Sequence, residues 1–378
     1  MADIRVKFVS QKISKVRFRP AQGIYSQGSD VFASGNWDDE SGRVCLWQIP
    51  LAQRDNGDME GGDTATDREP TQLCETSHRG DVTDMEFLGT EAVAVSSSLG
   101  TVTVYRHRGL KSLEEASHWS GIHSGLGHVS CACTCVATQG EDLLVSAGED
   151  GRINVLNISH RTPIRTIKKA NSCTINGVRF LKQLEVITVD SSGQLKIFDL
   201  RQNSEEPSKT FTVSGEQTPL QSIARHPTQQ HVVATGGHDG VLSIWDLRQE
   251  KFPVTLLEAH SAPMWEVKFH PTNPEHLFTC SEDGSVWHWD SSAVTSLVTG
   301  TGAGSGGGSL FAQPPGGAQQ PQITSPWLGL ESGRSKMEIS TLLPNQSLPI
   351  NTLDIDGETL ICGSDEEAIY TIDIPGIR

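Results

Sequence analysis

The 378-residue chain carries 46 acidic against 30 basic residues, a formal charge of -16, with 36% hydrophobic residues and eight scattered cysteines. So large an acidic excess repels phosphate and excludes broad, direct nucleic-acid binding, while it leaves the chain able to steer a basic partner surface. No stretch approaches the roughly 18 consecutive apolar residues of a membrane helix, residues 1–5 offer no signal-peptide core, and thiols spread through a long chain suit a reducing compartment, so a soluble protein with no direct membrane insertion is expected.

In chain order, Ile4–Val9 alternates polar with apolar residues and predicts a lone strand ahead of the first repeat. Ile13–Pro20, Val31–Gly35 and Arg43–Trp47 then read as three strands of a first unit, and residues 50–70, polar, acidic and Gly-rich, as a surface loop. A second unit runs through Val82–Phe87, Ala92–Val95 and Thr101–Tyr105, with its turn at Leu99-Gly100. Four clearer copies follow, each a small-residue strand entering a tight turn that closes on glycine: Gly151, Gly193, Gly240 and Gly284. Their spacing of about 42 to 47 residues is that of one four-stranded propeller blade.

Residues 291–336, rich in Gly, Ser, Pro and Gln, interrupt the period and predict a flexible insertion, because such composition buries too little apolar surface to offset its ordering entropy. Ile339–Leu343 then completes the sixth blade, and Ile350–Ile355, Thr359–Gly363 and Ala368–Ile372 supply three strands of a seventh. The fourth is Ile4–Val9. The fold class is therefore all-β: residues 1–378 form a single seven-bladed propeller closed by the N-terminal strand on the C-terminal blade, which removes the exposed edges of an open sheet.

Few residues invite chemistry. The stretch Gly302-Ala303-Gly304-Ser305-Gly306-Gly307 fits a dinucleotide fingerprint but has no strand before it and no helix after it, so it reads as linker. Cys131, Cys133 and Cys135 alternate along one strand at a spacing foreign to zinc sites, and read as core packing. The histidines at 226, 231, 238, 270, 276 and 288 recur at matching places in the fifth and sixth blades, which favours structure over metal binding. The inner strands carry Val178, Phe180, Ile223, Val267 and Phe269, so an apolar channel without a catalytic polar cluster is expected.

In the sixth blade His260, Thr279, Asp283 and Trp289 match the structural tetrad of the WD40 family, which these repeats resemble. The fifth keeps Thr235, Asp239 and Trp245 without the histidine, the third has His128, Ser146 and Asp150, and the fourth has Thr188 and Phe198 with Ser192 in place of the aspartate. Recurrence once per blade makes these residues a hydrogen-bonded brace and not a hydrolytic triad.

The segments Phe8–Lys15, Gly193–Ile197, His226–Val241, Met264–Asp290 and Ala368–Tyr370 further resemble a family of propeller subunits of the Y-shaped nuclear pore scaffold. That resemblance implies a non-enzymatic, monomeric propeller within a large hetero-complex. It would have other Y-complex nucleoporins as partners, act at the nuclear envelope in protein and mRNA transport, and join kinetochores in mitosis. The chain has no Phe-Gly dipeptide, which sets it with scaffold rather than barrier subunits. The competing partner is a cullin-4 adaptor, since Trp245-Asp246-Leu247-Arg248 fits the W-D-x-R motif of cullin-4 substrate receptors and Phe198-Asp199-Leu200-Arg201 nearly does. Alternatively Asp246 and Arg248 simply pair where a strand ends.

Overall fold

The computed structural model describes residues 3–21, 28–50, 69–125, 129–213, 217–249, 252–292, 325–328 and 337–377. Most of the acidic loop at 50–70 and of the insertion at 291–336 lies outside them. The first strand is β1 (Asp3–Phe8), and blade one follows as β2 (Ile13–Phe18), β3 (Val31–Asn36), β4 (Gly42–Gln48) and β5 (Thr71–His78). Blade two is β6 (Val82–Leu88), β7 (Ala92–Ser97), β8 (Val102–His107) and β9 (Leu113–Trp119); blade three is β10 (Cys133–Gln139), β11 (Leu143–Gly148), β12 (Ile153–Asn157) and β13 (Arg165–Ile167). Blade four comprises β14 (Ile175–Lys182), β15 (Glu185–Asp190), β16 (Gln194–Asp199) and β17 (Lys209–Thr212), and blade five β18 (Leu220–Arg225), β19 (Val232–Gly237), β20 (Val241–Asp246) and β21 (Thr255–Glu258). Blade six is β22 (Met264–Phe269), β23 (His276–Ser281), β24 (Val286–Asp290) and β25 (Glu338–Leu343). Blade seven joins β26 (Ile350–Asp356), β27 (Thr359–Ser364) and β28 (Ala368–Asp373) to β1, in the order β1-β28-β27-β26.

The closure expected from the N-terminal alternation is therefore present. β1 runs antiparallel to β28 from Asp3 opposite Asp373 to Phe8 opposite Ala368. Strand sequences follow their radial position. The second strands are rich in small and β-branched residues, as in Ala92-Val93-Ala94-Val95-Ser96-Ser97, and every residue of β3, β7, β19 and β23 is buried, because neighbouring blades press on both faces. Outer strands such as β25 are mostly exposed. The apolar core is divided into clusters between successive blades; the one joining blades seven and one contains Phe18, Phe32, Trp47, Ile361 and Ile369.

The recurring glycine answers two demands at once. Gly240 has φ +76°, a region that costs other L-residues roughly 1–2 kcal/mol, and a Cβ there would lie 2.2 Å from the His260 carbonyl oxygen of the next inter-blade loop. Blade seven has Glu367 at this place, with φ 59° and its side chain in solvent. Its carbonyl accepts the Val9 N–H at 2.8 Å, so the backbone keeps the turn that the side chain disfavours. Glu367→Gly is expected to stabilise the ring by about 0.5–1 kcal/mol, the relieved strain outweighing the added freedom of the unfolded chain. Urea unfolding of the two proteins checks it: a lower midpoint for the glycine variant contradicts the assignment.

One part of the insertion belongs to the core. A 3-10 turn over Pro326–Leu328 buries Trp327 completely between blades five and six, against Phe269 in an edge-on contact of 5.7 Å, with its indole N–H donated to the Pro274 carbonyl at 2.8 Å.

Candidate functional site

Each of the seven inner strands breaks register near its start, so that one residue there bulges from the ladder: Ser14, Thr83, Thr134, Asn176, Gln221, Trp265 and Asn351. A bulge re-aims its side chain. These seven line the mouth of the central channel, a cavity of about 540 Å3 that also touches Trp37, Asp81 and Glu149. Several also stitch each blade to the next: Thr83 donates to the Cys133 carbonyl, Thr134 to Ile175, Asn176 to Leu220 at 2.8 Å and Asn351 to Ile13 at 3.0 Å. The Trp265 indole N–H is buried and has no partner.

Below the mouth the channel is charged, contrary to the apolar expectation. Val178, Phe180, Ile223, Val267 and Phe269 do line the cores between blades, but the other face of the inner strands brings Lys15, Arg17, Asp84, Arg179, Glu266, Lys268 and Asp354 together. Sequence reasoning followed one face of a two-faced strand. Arg17, 3% exposed, donates to Glu266 at 2.7 Å, to Asp84 at 3.1 Å and to Thr352 Oγ1 at 3.2 Å, and Lys15 reaches Glu266 at 2.6 Å. Asp84 accepts the Val136 N–H at 3.1 Å and Glu266 the Leu353 N–H at 3.0 Å, so the network joins blades one, two, three, six and seven. Burial opposes the Glu266 charge, but Arg17 and Lys15 overcome it and hold the carboxyl well below the usual range. Glu86 goes the other way, its pKa raised by burial, and Lys268 is lowered by burial and the nearby Arg17. The arrangement is a set of mutually neutralising pairs, with the Thr352 hydroxyl donated to Glu266 at 3.1 Å.

The tetrad residues meet unevenly. In blade six His260 Nε2 lies 2.8 Å from Thr279 Oγ1, which accepts the Trp289 indole N–H at 3.1 Å, and His260 Nδ1 is 3.3 Å from Asp283. Burial lowers the His260 pKa despite Asp283, so the ring is neutral at pH 7. In blade five Trp245 donates to Thr235 at 2.9 Å, whereas Asp239 is exposed and accepts only the Val241 N–H of its own turn among the described contacts. Blade three uses His123, at 2.9 Å from both Asp150 and Ser146. His128 lies outside the described residues; the loop doubles back through a Ser124–Ser130 bridge, which brings the earlier histidine to the blade. In blade four Asp190 takes the place assigned to Ser192, accepting the Ser192 and Gln194 N–H groups at 2.9 and 3.0 Å.

Arg248 folds back on Asp246 with paired contacts of 2.9 and 2.7 Å, and Arg201 does the same to Asp199 at 2.9 and 2.8 Å. Both are strand-end ion pairs of one design. Cys133 and Cys135 are buried where β10 bulges, and among the described residues no three potential ligands are placed to hold a metal.

The face bearing the channel mouth is asymmetric. From blade seven through blade three it exposes Leu348, Phe8, Trp37, Leu99 and Val129, with Phe8 and Val129 about two-thirds exposed. Acidic residues are interspersed: Asp38, Asp39 and Glu40 in one turn, Asp81, Glu149, and Asp365, Glu366 and Glu367 in another. Lys12 pairs with Asp38 and covers the Trp37 ring at 5.8 Å, and Trp37 donates to Asp365 at 2.9 Å.

Against known proteins, the chain is 44% identical to human nucleoporin Nup43 over 379 aligned residues, covering 98% of both chains, and equally to its mouse counterpart. The chain belongs to the Nup43 family of nucleoporins. A Dictyostelium discoideum nuclear pore complex protein nup43 matches 42% of the chain at 32% identity. The family model for the WD domain, G-beta repeat, matches residues 206–246 and 251–290, each running from an outer strand into the next blade. Those two segments hold the indole–threonine pairs Trp245–Thr235 and Trp289–Thr279, the strongest repeats of this Nup43-family chain. Sequence reasoning missed the Trp47–Ser34 contact of 2.8 Å in blade one, which only an indole in the right strand signalled. It also missed Trp327, the sole tryptophan of the low-complexity insertion.

Proposed function

We propose that this chain is a non-enzymatic scaffold subunit of the nuclear pore complex that docks on other nucleoporins of the Y-shaped assembly. It would serve protein and mRNA transport at the nuclear envelope and accompany the assembly to kinetochores in mitosis. The observation that carries this reading is the 44% identity to human Nup43 along 98% of both chains.

The docking face is the sector from blade seven to blade three. Apolar anchors within an acidic rim suit a partner segment whose own apolar residues are flanked by lysine or arginine, the acidic field steering its approach. A specific interface buries about 1,200–2,000 Å2 in total, an area that several adjacent blades on a rigid ring can offer. Affinity capture of the tagged full chain from cells tests the assignment, with Leu99→Lys/Val129→Lys as the variant. We expect nucleoporins of the Y-shaped assembly with the parent chain, an approximately tenfold loss with the variant at unchanged melting temperature, and no effect of Arg248→Ala. Capture of cullin-4 adaptor chains that Arg248→Ala abolishes would overturn the reading, and nucleoporin capture unaffected by the double substitution would move the docking face elsewhere.

A further inference from the structure

Ser325 is 1% exposed and its hydroxyl has no hydrogen-bond partner, although it is held directly beside the Trp327 plug. An unpaired buried hydroxyl is a net cost that alanine would avoid, so packing does not account for the residue. Ser325 is followed by Pro326, and this is the single Ser-Pro step of the chain. A residue before proline is biased to extended backbone, the shape in which a substrate strand lies in a kinase cleft. We propose that Ser325 is a phosphorylation site for a proline-directed protein kinase, and that the phosphate drives Trp327 out of its slot between blades five and six.

The chemistry is an ordinary phosphoryl transfer. The γ-phosphoryl group of a nucleoside triphosphate forms a bond to Ser325 Oγ as its bond to the bridging oxygen breaks; the hydroxyl proton passes to the kinase and the nucleoside diphosphate leaves. The consequence follows from the slot. Trp327 sits among Ala234, Ile244, Phe269 and Trp289, and Leu328 packs on the same cluster. A group carrying roughly -1.5 to -2 charges is strongly disfavoured beside so apolar a slot. Among the described residues the turn is held by the Leu328 N–H to the Ser325 carbonyl at 3.2 Å, by the Trp327 indole to Pro274 and by the burial of the Trp327 ring. A kinase therefore acts on the transiently opened turn, and the phosphate traps that opened form.

The test uses the full chain, a proline-directed kinase and adenosine triphosphate, with the site read by peptide mass spectrometry. The position of the plug is read by amide hydrogen exchange at Trp327 and Leu328. We expect phosphate on Ser325, incorporation roughly fivefold or more faster in Trp327→Ala, and none in Ser325→Ala, whose exchange stays at the parent rate because its hydroxyl made no hydrogen bond. Phosphorylated protein should exchange there roughly fivefold or more faster than unmodified protein. Failure to modify Ser325 even in Trp327→Ala overturns the site, and a phosphorylated chain exchanging at the unmodified rate overturns the release of the plug. Ser325→Glu serves as a second form should kinase treatment be incomplete: unchanged exchange in that folded variant also counts against release.

Discussion

Deleting residues 1–9 is expected to open the ring, lowering the melting temperature sharply and producing soluble aggregates. β1 contributes the whole outer edge of blade seven, in register from Asp3–Asp373 to Phe8–Ala368. The Arg5–Asp373 ion pair and the Val9 N–H to Glu367 carbonyl bond tie down its two ends. Removing the strand leaves the outer edge of β28 unpaired, withdraws Val6 from the core between blades six and seven and takes Val9 from the core between blades seven and one. At about 1 kcal/mol for each lost ladder bond, plus the apolar burial, roughly 5 kcal/mol or more of stability disappears. A bare strand edge is also a template for pairing with another chain. Thermal melts with light scattering decide it, and an unchanged melt in a monodisperse sample would refute closure as the source of stability.

Arg17→Ala is the second large loss. It leaves Glu266 and Asp84 buried with Lys15, Arg179 and Lys268 as the cations still nearby, and breaking a buried pair from one side costs about 3–5 kcal/mol. Replacing Arg17 and Glu266 together by Met and Gln is expected to cost less than the sum of the single changes, since neither member of that pair is then left charged opposite the other's absence, although Asp84 and Lys15 each lose one partner. Acid probes the same network. Glu266 has a folded pKa below its unfolded value, so its contribution is complete above the ordinary carboxylate range and is lost as pH falls through the folded value. Arg17→Ala should therefore flatten the acid limb of the stability profile. Urea melts from pH 7 to pH 3 test both statements; an Arg17→Ala protein within about 1 kcal/mol of the parent at pH 7 would count against the network.

The propeller was legible because its signals are local and repeated. The turn glycines, the alternating inner strands and the small-residue second strands each recur at one period, and even the split last blade showed through the alternation of Ile4–Val9. The site was less legible because its facts depend on which face of a strand is turned to the axis. Val267 and Glu266 are neighbours in sequence, yet one packs between blades and the other meets Arg17 across the channel. His123 and His128 are equally plausible by spacing, and only the doubling back of their loop selects His123. Trp327 was hidden by its company, since composition averaged over the insertion conceals one residue that finds a slot.

Ring closure also sets an order of events. The first strand of the chain has no partner until the last one exists, and Arg17 must likewise wait for Glu266. During synthesis the leading blade is thus held open while the rest is made, and contacts between such distant residues form slowly because a long loop must close first. A product stopped before β28 cannot finish at all: it keeps an unpaired strand at one end and bare blades at the other, the features by which aggregation and chaperone capture begin. The ring thereby reports its own completeness, since only a chain read to its final strand can hide its first.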